Sequence, residues 1–165
     1  TLHTNSAAGA LPRLIDMGIE AFLIASTTNA ILAQRLVRKL YGEKEKYTLS
    51  KDQIKNLAEL FNLDRILEVM KDKKIVGQDS DWKTIPFYKA KPSKECPSGY
   101  KGRVGLYEVL EISDHIKDLI LKKATYKEID EAARVAGMTS MLEDGFIKAT
   151  QGYTSIEEIL RVTKE

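Results

Sequence analysis

The sequence holds 165 residues, 43% of them apolar and 30% charged, with a formal net charge of +2. That is enough apolar material for one domain or two small modules, and the near-cancelled charge argues neither for nor against a nucleic-acid partner. No apolar run approaches the ~20 residues of a membrane-spanning helix, no secretory leader pattern opens the chain, and a lone Cys96 cannot close an internal disulfide, which points to a reducing compartment.

The first residue is Thr1 rather than Met, so the chain is expected to begin inside a longer protein. Thr-Leu-His-Thr-Asn, residues 1–5, is β-tolerant and ends at a good helix cap. A helix over 6–17 follows, with Leu11, Leu14 and Ile15 on its apolar face and Gly18 as its stop. Pro12 lies inside it and is expected to delay its start or bend it. A second helix over 20–29 offers Phe22, Leu23 and Ile24 for burial. Residues 32–40 suit a strand or a helix, because apolar residues stand at both parities.

From Tyr41 to about Ser50 the chain turns polar and rich in Lys and Glu, which reads as a connection. Ser50 with Gln53 forms a capping-box pair. Ile54, Leu57, Ala58 and Phe61, then Leu63, Ile66, Leu67 and Met70, repeat at helical spacing, giving two short helices broken near Asn62. Residues 71–84 are turn-like, 85–90 can start a strand beyond Pro86, and 91–102, with two prolines and two glycines, reads as loop. Residues 103–110 make the clearest strand, with Val104, Leu106 and Leu110 on one face. The rest is helical. Ile116, Leu119 and Ile120 mark one helix. Thr125 with Glu128, Ser140 with Glu143, and Ser155 with Glu158 supply capping boxes, and Gly137 and Gly152 supply stops. The expected fold class is mainly α with a small β component.

Three stretches resemble one family when taken in order. They are Thr1-Leu-His-Thr-Asn5 with Arg13-Leu-Ile-Asp-Met-Gly18; Ile31-Leu-Ala-Gln-Arg-Leu-Val-Arg-Lys-Leu40; and Gly99-Tyr-Lys-Gly-Arg-Val-Gly-Leu-Tyr-Glu-Val-Leu110 followed by Ala136-Gly-Met-Thr-Ser-Met141 and Asp144-Gly-Phe-Ile-Lys-Ala-Thr-Gln-Gly-Tyr-Thr154. Together they look like the motor ATPases of type II secretion and type IV pilus assembly. The resemblance implies that residues 1–40 are the C-terminal edge of a RecA-like ATPase domain, 41–102 a degenerate zinc-module-like insert, and 103–165 a helical C-terminal domain. It implies a hexamer of neighbouring ATPase subunits, cytoplasmic and peripheral to the inner membrane, that works on an inner-membrane platform protein. It also implies ATP and Mg as the cofactors of the intact parent.

Two departures shape what is expected of these residues alone. No Gly-x-x-x-x-Gly-Lys-Ser/Thr loop occurs, so hydrolysis is not expected of them. Many relatives carry two Cys-x-x-Cys pairs, whereas here Tyr41 and Lys44 stand at the first and only Cys96 near the second. Structural zinc needs four ligands, so no metal is expected.

The resemblance makes His3 the candidate catalytic residue, beside the terminal phosphate, and Arg13, Gln34 and Arg35 the candidate nucleotide-contacting residues. Each has a plainer reading: a frayed terminal His3, a local Arg13–Asp16 helix pair, and surface side chains at 34 and 35. The basic run Lys89, Lys91, Lys94, Lys101 and Arg103 reads first as a solvated loop. Two rival functions remain at this level. One is a stand-alone helical interaction module. The other is a DNA-binding helix-turn-helix over 125–151, which Glu143 and Asp144 at the start of its second helix disfavour, so no nucleic-acid partner is expected.

Overall fold

The computed structural model describes residues 2 and 4–163. Among them the order is α1 (Ala7–Asp16), α2 (Ala21–Thr27), β1 (Ala30–Leu40), β2 (Lys44–Tyr47), α3 (Lys51–Leu60), α4 (Leu63–Asp72), β3 (Phe87–Ala90), β4 (Tyr100–Glu111), α5 (Asp114–Leu121), α6 (Tyr126–Val135), α7 (Met141–Thr150) and α8 (Ile156–Thr163). The chain is mainly α with a small β part, as its patterns indicate. It divides into two compact units, one of Thr1–Arg35 with Tyr107–Met141, the other of Leu36–Leu106 with Leu142–Glu165. Residues 41–102 fall wholly in the second; 1–40 and 103–165 are each shared between the two.

In the first unit α1 begins at Ala7 and runs through Pro12. The expected late start does not occur, because Ala7, Ala8 and Leu11 are buried against Ile24, Leu110, Ile116, Ile120 and Ile129. Small side chains let α1 approach closely, and that packing outweighs the one backbone donor that Pro12 removes. Gly18, at φ +86, ends the helix: its N–H and that of Ile19 donate to the carbonyls of Ile15 and Leu14. In α2 the expectation is corrected. Ile24 and Ala25 are buried, but Phe22 and Leu23 are exposed, since a seven-residue helix presents only about two turns and one narrow face.

β1 settles the ambiguity at 32–40 as a strand: Ile31, Ala33, Arg35 and Val37 lie on its more buried side, with Leu32, Gln34 and Leu36 opposite. It pairs with β4. Just beyond the paired strands, the Ile112 N–H donates to the Asn29 carbonyl in the first unit, and the Tyr41 N–H to the Gly99 carbonyl in the second. β4 starts at Tyr100, earlier than the loop reading of 91–102 allowed, because Gly102 takes φ +76 within the strand.

The second unit contains a strand that the sequence hides. Lys44–Tyr47 pairs antiparallel with Phe87–Ala90, setting Glu45 opposite Lys89 and Tyr47 opposite Phe87. Its Lys-Glu-Lys composition carries little strand preference; cross-strand partners, including a Lys89–Glu45 ion pair at 2.9 Å, supply it. Trp82, Phe87 and Phe146 anchor the core, with Leu57, Ile66, Met70, Ile85 and Ile159 around them. The capping box at Ser50 and Gln53 forms in full, as does the one at Thr125 and Glu128 in the first unit.

Gly99, which precedes β4, has φ +68, and a Cβ there would stand 2.8 Å from the Ala90 Cβ and 3.1 Å from the Lys91 nitrogen. Gly99→Ala is therefore expected to destabilise the second unit by about 2 kcal/mol, from left-handed backbone strain plus the clash. A urea melt followed by the fluorescence of Trp82, the one tryptophan in the sequence, measures it; an unshifted midpoint contradicts the geometry.

Candidate functional site

The first unit gathers its polar groups around the start of α1. Ser6 caps the helix, its Oγ accepting the Gly9 N–H at 3.2 Å. The Thr4 Oγ1 donates to the Ser6 carbonyl at 3.0 Å, and the Asn5 Oδ1 accepts from the Arg35 Nη2 at 2.8 Å. The Ala7 N–H, an orphan donor of the first helical turn, reaches across to the Glu108 Oε1 at 2.7 Å. Glu108 is 4% exposed. Burial pushes its carboxyl above the ordinary range, while the Ala7 and Met141 backbone N–H groups pull the other way. Asp130 and Arg134 on α6 also act on it electrostatically, and those two pair at 2.8 Å.

The residues that the sequence nominates separate here. Arg35 meets Asn5, two positions after His3 in sequence. Gln34 is exposed on the other side of β1, and Arg13 is exposed in the last turn of α1. His3 lies outside the described residues.

The second unit has its own polar centre, which the sequence reading missed. Glu158, 1% exposed, accepts from the Arg38 backbone N–H at 2.8 Å, from the Arg38 Nε and Nη2 at 2.9 and 2.6 Å, and from the Arg161 Nε and Nη2 at 3.2 and 3.0 Å. The Arg38 guanidinium lies 4.4 Å from the Tyr100 ring centre, and the Tyr100 hydroxyl and Ser155 Oγ share a hydrogen bond of 2.7 Å. Burial alone would raise the Glu158 carboxyl. The hydrogen bonds from Arg38 and Arg161 outweigh it and hold the group at about 2. Arg38 and Thr154 are tied further by a Thr154 Oγ1 bond to the Arg38 carbonyl at 2.9 Å. The only visible signal for this centre is Ser155-x-x-Glu158, which the sequence reading assigns to a helix cap. The Glu158 N–H does meet the Ser155 Oγ at 3.4 Å, but the carboxylate is spent on the two arginines.

The remaining nominees are quieter. Cys96 is buried, and its Sγ donates to the Tyr100 carbonyl at 3.2 Å. Among the described residues no group of three or more His, Cys, Asp or Glu side chains is placed to hold a metal ion. In the basic run, Lys89 and Lys91 pair with Glu45 and Glu43. Lys148, the basic residue of the would-be recognition helix, donates to the Gly105 carbonyl at 2.7 Å and pairs with Asp144. No helix among the described residues is long and apolar enough to cross a membrane.

The sequence model of the family described as "Type II/IV secretion system protein" matches residues 1–161. The chain is 42% identical over its whole length to the type II secretion system protein E of Xanthomonas campestris pv. campestris, covering 26% of that protein. It is 39% identical to the type IV pilus assembly ATPase PilB of Pseudomonas aeruginosa, again over the whole chain and 26% of the relative. It is also 39% identical to the type II secretion system ATPase E of Vibrio cholerae, covering 29% of it. The chain spans about a quarter of the length of these curated relatives. By the family match across nearly all its residues, the chain belongs to the type II/IV secretion system protein family.

Proposed function

We propose that these residues are the C-terminal portion of a hexameric motor ATPase that powers type IV pilus assembly or type II secretion from the cytoplasmic face of the inner membrane. The observation that carries this reading is the match of all of these residues to about a quarter of the length of relatives named as ATPases of those two machines. In the parent, His3 stands by the terminal phosphate of ATP, and Arg13, Gln34 and Arg35 face the nucleotide or the neighbouring subunit. A guanidinium suits that task because its planar fork pairs with oxyanions. The C-terminal helices pass motion to the inner-membrane platform protein. Residues 1–165 include no phosphate loop, and without its backbone amides and lysine they do not hold a magnesium-bound triphosphate by themselves.

The test is paired. ATP titrated into residues 1–165 in a calorimeter is expected to give no micromolar binding and no turnover. A longer chain carrying a phosphate loop upstream is expected to hydrolyse ATP, with His3→Ala lowering kcat at least about tenfold through lost placement of the reacting groups. Tight binding by the 165 residues alone, or a longer chain without turnover, overturns the reading. Turnover that survives His3→Ala removes His3 from the site.

A further inference from the structure

Among the described residues of the first unit Glu108 is the one buried acid, and its hydrogen bonds come from backbone N–H groups. Its carboxylate accepts the Ala7 N–H, the first of α1, at 2.7 Å, and the Met141 N–H, the first of α7. Helix starts leave their early N–H groups without intrahelical partners, and a carboxylate is the strongest acceptor available for them. One side chain on β4 therefore closes two helix N-termini that lie 134 residues apart in sequence (141 − 7). The α1 end it closes is the one whose preceding residues are fixed by Ser6, Thr4 and the Asn5–Arg35 bond.

We infer that Glu108 is a positioning residue: by holding the Ala7 and Met141 N–H groups on one carboxylate, it sets where the segment just before α1, with Thr4 and the Asn5–Arg35 pair, is presented to the reaction. The inference rests on the proposed ATPase function for its consequence, and on the geometry alone for the link. Burial supports it. Folded Glu108 binds a proton more readily than the unfolded chain does. Its contribution to stability is therefore full below the ordinary glutamate range and falls as pH rises. From α6, Asp130 and Arg134 face the same carboxylate. The Asp130 Oδ2 takes the Arg134 Nε, while its Oδ1 is buried without a hydrogen bond. Asp130 is therefore the control for any titration seen here.

Two measurements test the inference. In amide NMR of the 165-residue chain, the Ala7 and Met141 N–H shifts are expected to titrate together, with one midpoint above the ordinary glutamate value. That shared step is expected to vanish in Glu108→Gln and to persist in Asp130→Asn. Separate midpoints, or a step that survives in Glu108→Gln, overturn the shared link. In the longer ATP-hydrolysing chain, Glu108→Gln is expected to lower kcat about tenfold with KM for ATP nearly unchanged, at a temperature where its melting curve is still folded. Wild-type kcat in that variant overturns the positioning role. A longer wild-type chain with no turnover counts instead against the proposed function, and the two amides then decide the link by themselves.

Discussion

Phe146→Ala is expected to destabilise the second unit by about 4 kcal/mol, the largest effect of any single change considered. Phe146 is 0% exposed and is ringed by aromatics: Trp82 at 5.7 Å between ring centres, Phe61 at 6.2 Å and Phe87 at 6.4 Å, all edge-on. Removing the ring costs its transfer out of water and leaves a void that three rigid rings cannot fill by turning. Trp82 and Phe87 are themselves stacked, with planes 6° apart, which further limits collapse. Phe146→Leu keeps most of the volume and is expected to cost about a third as much. The measurement is the urea midpoint read by Trp82 fluorescence, which reports directly on this cluster. A loss below 1 kcal/mol for Phe146→Ala would mean that α7 does not seat its ring among the other three.

That cluster was legible in part. Phe61, Phe146, Ile159 and their neighbours fall at helical spacing behind recognisable caps, and the caps at Ser50 and Thr125 form as the sequence indicates. β2 was not legible, because nothing local makes Lys-Glu-Lys-Tyr a strand; its partner lies some 40 residues onward at Phe87–Ala90. Phe22 and Leu23 misled for the opposite reason: apolar character marks what can be buried, and a short helix cannot bury every side. The site divides the same way. Arg35 was marked by the family resemblance, and the structure gives it a partner in Asn5. Glu108 carried a readable signal that went unused, for it shares strand parity with the buried Leu106 and Leu110, and an acid on the inward face of a strand needs a donor. Arg38 and Glu158 carried no such signal. They are 120 residues apart, and the local capping pattern explained Glu158 before its true partner could be sought.

Glu158→Ala is expected to destabilise the second unit by about 3 kcal/mol, from lost charge-assisted hydrogen bonds and a stranded Arg38 N–H. The three residues of this centre are not equivalent. The acid is 1% exposed, whereas the Arg38 and Arg161 side chains are 51% and 46% exposed. Freed arginines turn to water at little cost, and solvent already screens each pair. Glu158→Ala should therefore cost more than Arg38→Ala, which leaves the carboxylate its backbone donor and Arg161. Arg38→Ala should in turn cost more than Arg161→Ala, whose bonds at 3.0 and 3.2 Å are the longer ones. Arg38→Lys should behave almost as Arg38→Ala, because an ammonium cannot supply the Nε and Nη2 fork. Acid gives an independent check. The folded carboxyl sits at about 2, below its ordinary 4.5, so the unfolded chain takes the proton first. The stability it contributes is complete above about 4.5 and drains away as pH falls toward 2. Urea midpoints at pH 7 and pH 3 should therefore drop further for the wild type than for Glu158→Gln, which has no such proton to bind. Equal drops in the two proteins would mean that the fork on Glu158 contributes nothing to holding this unit together.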